Sequence, residues 1–216
     1  MIKSISFSTK VAAISPIRRA LVLALLAVLS AFLSTYASWE SGFLLINRTP
    51  ILPGIYFGLV LIFGVFCWTS RRKSELFTVL VITTVAWILA HQTAHHAYEL
   101  IDSELVRIQK QTAPDSTSTV PGFEVKYVVA LCGALGGLVG SFVTGAGIAF
   151  VSKEFYARGN WARTTLIGMV TGTLLEFAAN PVGSIHIGSL LPLFLVWQFS
   201  VAASIGYGLR TRQDRE

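Results

Sequence analysis

The stretch Tyr127–Ser152, YVVALCGALGGLVGSFVTGAGIAFVS, decides the fold: it carries no charged side chain from end to end. Crossing a hydrocarbon core of about 30 Å takes roughly 20 apolar residues as helix, and this run supplies them. Membrane barrels also satisfy their backbone groups in lipid, but their strands alternate apolar and polar residues. This run is apolar on every face, so it reads as a membrane-spanning helix.

Five more runs extend the pattern outward: Ala20–Ser38, Ile51–Thr69, Leu76–Ala94, Thr164–Ala179 and Leu190–Gly208. Thr164–Ala179 is the shortest, and it alone holds an acid, Glu176. The expected fold class is therefore an all-α integral membrane protein with six transmembrane helices. Composition agrees. The 216 residues are 53 % hydrophobic and 13 % charged, against about 25 % charged in a soluble domain. That balance excludes a soluble enzyme, a disordered chain and a disulfide-stapled secreted module. Cys67 and Cys132 fall inside spans without a CxxC spacing and read as small apolar residues.

Lys and Arg set the orientation. One set of alternating loops holds Lys3, Lys10, Arg18, Arg19, Arg71, Arg72, Lys73, Lys153, Arg158, Arg163, Arg210, Arg212 and Arg215; the other holds Arg48, Arg107, Lys110 and Lys126. The richer side is cytoplasmic, so both termini lie inside, in a plasma membrane of the bacterial inner type. The net charge of +6 is then a topology signal aided by anionic lipid, not a nucleic-acid footprint. The partners expected are the bilayer and a second copy or a larger membrane complex. A cleaved signal peptide is the competing reading of the first run, which exceeds the usual 7–15 residue apolar region.

The expected organisation is an N-terminal cytoplasmic arm over 1–19, spans one to three over 20–94, an external segment over 95–126, spans four to six over 127–209, and a cytoplasmic tail over 210–216. Within the external segment, Tyr98, Ile101, Leu105 and Ile108 recur at helical spacing and continue the third helix outward as an amphipathic extension. Ala113-Pro114-Asp115 stops it, and Ser116-Thr117-Ser118-Thr119 is a linker.

Spans four and five differ from the rest. Gly133, Gly136, Gly137, Gly140, Thr144 and Gly147 form a stripe almost without side chains; Thr164, Gly168, Gly172, Glu176 and Asn180 recur every fourth residue. Small residues let helix backbones approach closely, so Gly133, Gly137, Gly140, Gly168 and Gly172 are expected to be packing positions. A pathway between these helices and an interface between copies are the alternatives.

Glu176 is the sharpest single residue. A charge well inside lipid costs at least ~2.5 kcal/mol on insertion scales, and such a group is a natural proton or cation site. Gln198, at about the level of Thr171, reads as a polar bridge between helices. Glu176, Gln198, Asn180 and Thr171 make the candidate substrate or proton site.

Histidines make the second candidate. His91, His95, Glu99 and Asp102 share a helix face, and His186 precedes the last span. Imidazoles four residues apart can hold a divalent metal, with a carboxylate as a third ligand. His91, His95, His186 and Glu99 are the candidate ligands for such a metal, and a haem held by one histidine from each region is the variant reading.

No P-loop, serine-centred elbow or GxGxxG after a strand is present, which points away from an enzyme, and no cofactor is firmly implied. Three function classes remain: a small-solute or ion permease with a membrane-embedded carboxylate, a non-catalytic membrane subunit or assembly factor, and a metal- or haem-binding membrane unit. A polar interior reaching the level of Glu176 favours the first, a dry core the second, and three gathered ligands the third.

Overall fold

The computed structural model describes residues 15–40, 45–46, 49–69, 72–112, 122–178 and 190–209. Those residues form seven α-helices. Four of these, over Pro16–Ala37, Lys73–Ile108, Lys126–Val151 and Leu190–Gly208, are long and apolar enough to cross a membrane. Apolar helices of this length are compatible with a membrane protein.

Helix α1 spans Pro16–Glu40. Ser15 starts it: its hydroxyl accepts from the Arg18 N–H at 3.4 Å and its carbonyl accepts from Arg19 at 3.0 Å. Pro16 then takes the first helical position, where a missing N–H costs nothing. A short antiparallel ladder follows, β1 (Leu45–Ile46) against β2 (Thr49–Pro50), with Leu45 opposite Pro50. The sequence pattern did not reveal this ladder.

Helix α2 covers Leu52–Trp68, with a proline in its first turn. Helix α3 runs unbroken over Lys73–Thr112. Neither Gly nor Pro interrupts it, and at 1.5 Å per residue it is about 60 Å long, twice the hydrocarbon thickness. The helical extension expected from Tyr98, Ile101, Leu105 and Ile108 is therefore present. It ends just before Ala113-Pro114, as the clash of a proline ring with the preceding residue requires.

Helix α4 (Gly122–Val151) is stopped by Ser152, whose extended backbone (φ −126°) caps the short helix α5 (Lys153–Ala157) through a bond from the Phe155 N–H to its hydroxyl. Gly159 then turns the chain at φ +64°, a conformation glycine adopts without strain. It leads into α6 (Asn160–Gly172), which tightens into a 3-10 turn over Thr173–Ala178. Helix α7 covers Leu190–Gly208, the range expected for the last span.

The region expected as the fifth span differs most: its 13-residue helix is not among the four long and apolar enough to cross a membrane. Its helix begins at Asn160, four residues before the expected Thr164, and takes Arg163 into its first turn. Residues 1–14, 113–121 and 210–216 lie outside the described residues, as do Asn180 and His186.

The helices close a ring. Neighbours pack in the order α1, α2, α3, α4, α6, α7, and α7 packs back against α1. Aromatic rings fill the middle: Phe57 lies 5.5 Å from Trp197, and Trp87 lies 5.3 Å from Phe194, centroid to centroid. Phe57, Leu61, Phe194, Val201 and Ile205 are almost fully buried around them. The outside is the reverse of a soluble protein. Leu21, Leu25, Leu29 and Phe32 line one bare face of α1, an apolar surface that lipid would solvate.

Candidate functional site

The glycine stripes do one job clearly. A Cβ on Gly137 would overlap the Gly168 carbonyl, and one on Gly133 or Gly172 would overlap the other's carbonyl. The backbones of α4 and α6 are thus in direct contact, and no pathway runs between them at these positions. The other edge of α4 is also occupied: a Cβ on Gly136 would lie 2.7 Å from the Ala90 carbonyl, and one on Gly140 would lie 2.9 Å from the Ala90 Cβ. Both small-residue faces of α4 therefore lie against neighbouring helices of the same chain.

Polar groups are also buried in the interior. Gln198 is fully buried, and its amide donates to the Ser34 hydroxyl of α1 at 3.1 Å. It does bridge two helices, as its sequence context suggested, but the partner is not Thr171. The Thr171 hydroxyl donates instead to the Ile167 carbonyl of its own helix at 2.8 Å. Hydroxyls in helices commonly bond backward in this way.

Several polar atoms are buried without a hydrogen-bond partner among the described residues: the Gln198 Oε1, the Trp197 Nε1, and the hydroxyls of Ser30, Ser141 and Thr144. They do not share one face: the Ser141 hydroxyl points at Gly168 in the α4–α6 seam, while the Gln198 amide reaches α1. Ser30 and Ser34 stand one turn apart on α1; Gln198 and Trp197 are adjacent at mid-length of α7; the Trp197 ring lies about 3.5 Å from the Cβ position of Gly140, next to Ser141. The sequence reading passed over Ser30 and Ser34. The available signal was the small-residue face of α1, where Ala27, Ser30, Ala31, Ser34 and Ala37 recur at helical spacing and are all buried.

Chemically these groups are an indole N–H donor, an amide oxygen acceptor and three hydroxyls, with no charge. Buried polar groups in proteins are almost always satisfied by protein, water or ligand, and in hydrocarbon each unsatisfied one costs several kcal/mol. Water or a small neutral polar molecule fits this set; a bare ion does not.

Glu176 sits in the 3-10 turn after α6, and its side chain lies outside the described residues. On α3, His95 Nε2 and His96 Nδ1 both meet the Glu99 carboxylate, each at 3.2 Å, and the His91 and His95 rings are 6.4 Å apart. His96 joins this group through its three-residue spacing to Glu99, a pairing the four-residue stripe did not include. Among the described residues no three His, Cys, Asp or Glu side chains are gathered to hold a metal; His186 is not among those residues.

A second polar cluster, at the other end of α7, was missed from sequence. Thr164, fully buried, bonds the Asn160 carbonyl and the Ser204 hydroxyl, both at 2.8 Å. Arg163 donates through Nη2 to the Ser204 carbonyl at 2.8 Å and through Nε to its hydroxyl at 3.3 Å, with its guanidinium 4.9 Å from the centre of the Tyr207 ring.

No known protein family, no curated protein and no solved structure matches the chain.

Proposed function

We propose that this chain is a six-span permease for a small neutral polar solute, with the buried, uncharged polar groups of Trp197 and Gln198 on α7 as its binding groups. The observation that carries the reading is that two successive residues at mid-length of α7 each bury a polar atom with no hydrogen-bond partner among the described residues, the Trp197 N–H and the Gln198 carbonyl oxygen. A donor and an acceptor held rigidly at that depth match a hydroxyl or an amide on a solute.

Lengths support six crossings. Helix α2 measures about 25 Å, and α6 with its 3-10 turn reaches about 32 Å, at 1.5 and 2.0 Å per residue. With thirteen basic residues on one side and four on the other, both termini belong to the cytoplasmic face of a plasma membrane of the bacterial inner type. In this reading Glu176, with Asn180 beside it in the sequence stripe, is the proton-coupling group, and the bare face of α1 meets lipid or a second copy.

The test is flux into liposomes. Osmotic shrinkage of proteoliposomes with small polyols and amides should be faster than that of protein-free vesicles. Gln198→Leu and Trp197→Phe should each remove most of that excess while the protein remains folded. Glu176→Gln should change the pH dependence of transport and not its solute preference. Rates equal to those of empty vesicles for every solute would sink the permease.

A second reading then stands, a non-catalytic subunit or assembly factor, which the aromatic filling of the ring by Phe57, Trp87, Phe194 and Trp197 favours. Elemental and optical analysis of the purified protein tests the metal or haem reading, which needs His186 to join His91, His95 and Glu99.

A further inference from the structure

The Arg163 cluster serves no step of the proposed transport, yet it is built. Arg163 lies half-buried in the seam between α6 and α7, fixed by two bonds to Ser204 and by the face of Tyr207. Ser204 is itself held by Thr164, which is fully buried. A guanidinium has five N–H donors, and Ser204 occupies two of them. Among the described residues its hydrogen-bond and ring partners, Ser204 and Tyr207, are neutral.

The surroundings are those of a membrane interface. Phe150 is 83 % exposed and Tyr156 is 64 % exposed, so two large rings face outward beside this elbow. Lys153 and Arg158 are exposed between them, and Tyr207 is half-exposed above the guanidinium. Aromatic rings and basic side chains together are what the headgroup level of a bilayer selects.

An arginine held in a fixed orientation by neutral partners among the described residues, and next to outward-facing rings, matches one ligand chemistry: a phosphate oxygen pair approached by the planar fork. We infer that Arg163, in the α6–α7 seam, binds the phosphate of an anionic lipid headgroup, with Lys153 and Arg158 supplying weaker, unfixed attraction. The source is the bilayer because the flanking rings place the fork at headgroup depth. The inference rests on the chain's insertion in a membrane and not on its transporting anything.

The experiment compares thermal unfolding in nanodiscs of phosphatidylcholine with and without phosphatidylglycerol. Wild type should gain on the order of 5 °C from the anionic lipid. Arg163→Gln should keep less than half of that gain, whereas Lys153→Gln/Arg158→Gln should keep more than half. Arg163→Lys, which retains charge but not the fork, should fall between wild type and Arg163→Gln. Should Arg163→Gln fail to fold, Arg163→Lys and native mass spectrometry of the wild type decide, the wild type retaining phosphatidylglycerol through detergent exchange. An equal gain in Arg163→Gln or Arg163→Lys and the wild type overturns the inference. So does the absence of retained lipid, or the same gain from inorganic phosphate in neutral nanodiscs, which would make this a free-anion site. None of these readouts uses flux, so a failed transport assay leaves the inference standing.

Discussion

Two seams of the ring are built on different principles. Between α4 and α6 the contact is backbone on backbone, because Gly133, Gly137, Gly168 and Gly172 have no side chain to keep the helices apart. Between α1 and α7 backbone meets backbone only at one end, where Gly206 lies against Arg19 and Ala20; along the rest, Leu23 and Ala27 pack with Val201, Ala202 and Ile205, and a hydrogen bond joins Ser34 to Gln198. Inside lipid no hydrophobic gain drives helices together, so dispersion and polar bonds must. The first seam uses proximity and the second uses a bond. They should therefore fail differently.

The largest effect should come from filling the first seam. Gly137→Ala puts a methyl group into the Gly168 carbonyl, which only backbone movement can relieve. A loss of about 3 kcal/mol or more is expected, roughly 6–12 °C of melting temperature. Gly145→Ala, on the same helix, is the control: its Cβ would meet the Trp161 Cα at 3.4 Å, an ordinary contact. It should cost less than about 2 °C, since alanine is the better helix former. Equal losses from the two would show that the seam is not held by close approach.

The second seam should show a smaller effect. Ser34→Ala strands the buried Gln198 amide and should cost about 0.6–1.7 kcal/mol. Gln198→Leu also removes the unpartnered carbonyl oxygen, so its net change should stay within about 1 kcal/mol of zero. A double-mutant cycle isolates the bond. A coupling of zero would mean that the α1–α7 seam stands on packing alone.

Legibility in the sequence follows the same division. The glycine stripe announced the α4–α6 contact, because residues of one kind at helical spacing mark a face without reference to any partner. The Ser34–Gln198 bond was not legible, because it joins residues 164 positions apart and depends on the last helix returning to the first. Thr171 looked as good a partner as Ser34 until the closure of the ring was known. The start of α6 was hidden by its own arginine. Charge excluded residue 163 from an apolar run, yet its stem is half-buried and its head is held by Ser204 and Tyr207, the usual way a long cation sits at the end of a span. The β1–β2 ladder was invisible because two-residue strands carry no periodicity.

One attachment belongs to neither seam and should have the smallest effect. The Trp87 N–H donates to the Pro50 carbonyl at 2.7 Å, tying the end of β2 to α3, while the indole ring packs on Phe194. Trp87→Phe keeps most of the ring contact and loses only the bond. Pro50 is partly exposed, so water can replace the donor, and the cost should be about 0.5–1 kcal/mol, a few degrees at most. Because Trp87 shares no partner with Gly137, the double variant with Gly137→Ala should add within about 0.5 kcal/mol. The local readout should be sharper than the global one: proteolytic nicking around residues 41–50 should accelerate well before the ring itself loosens. A loss as large as that of Gly137→Ala would instead make the Pro50 contact part of the ring's closure, and the division into two seams would have to become three.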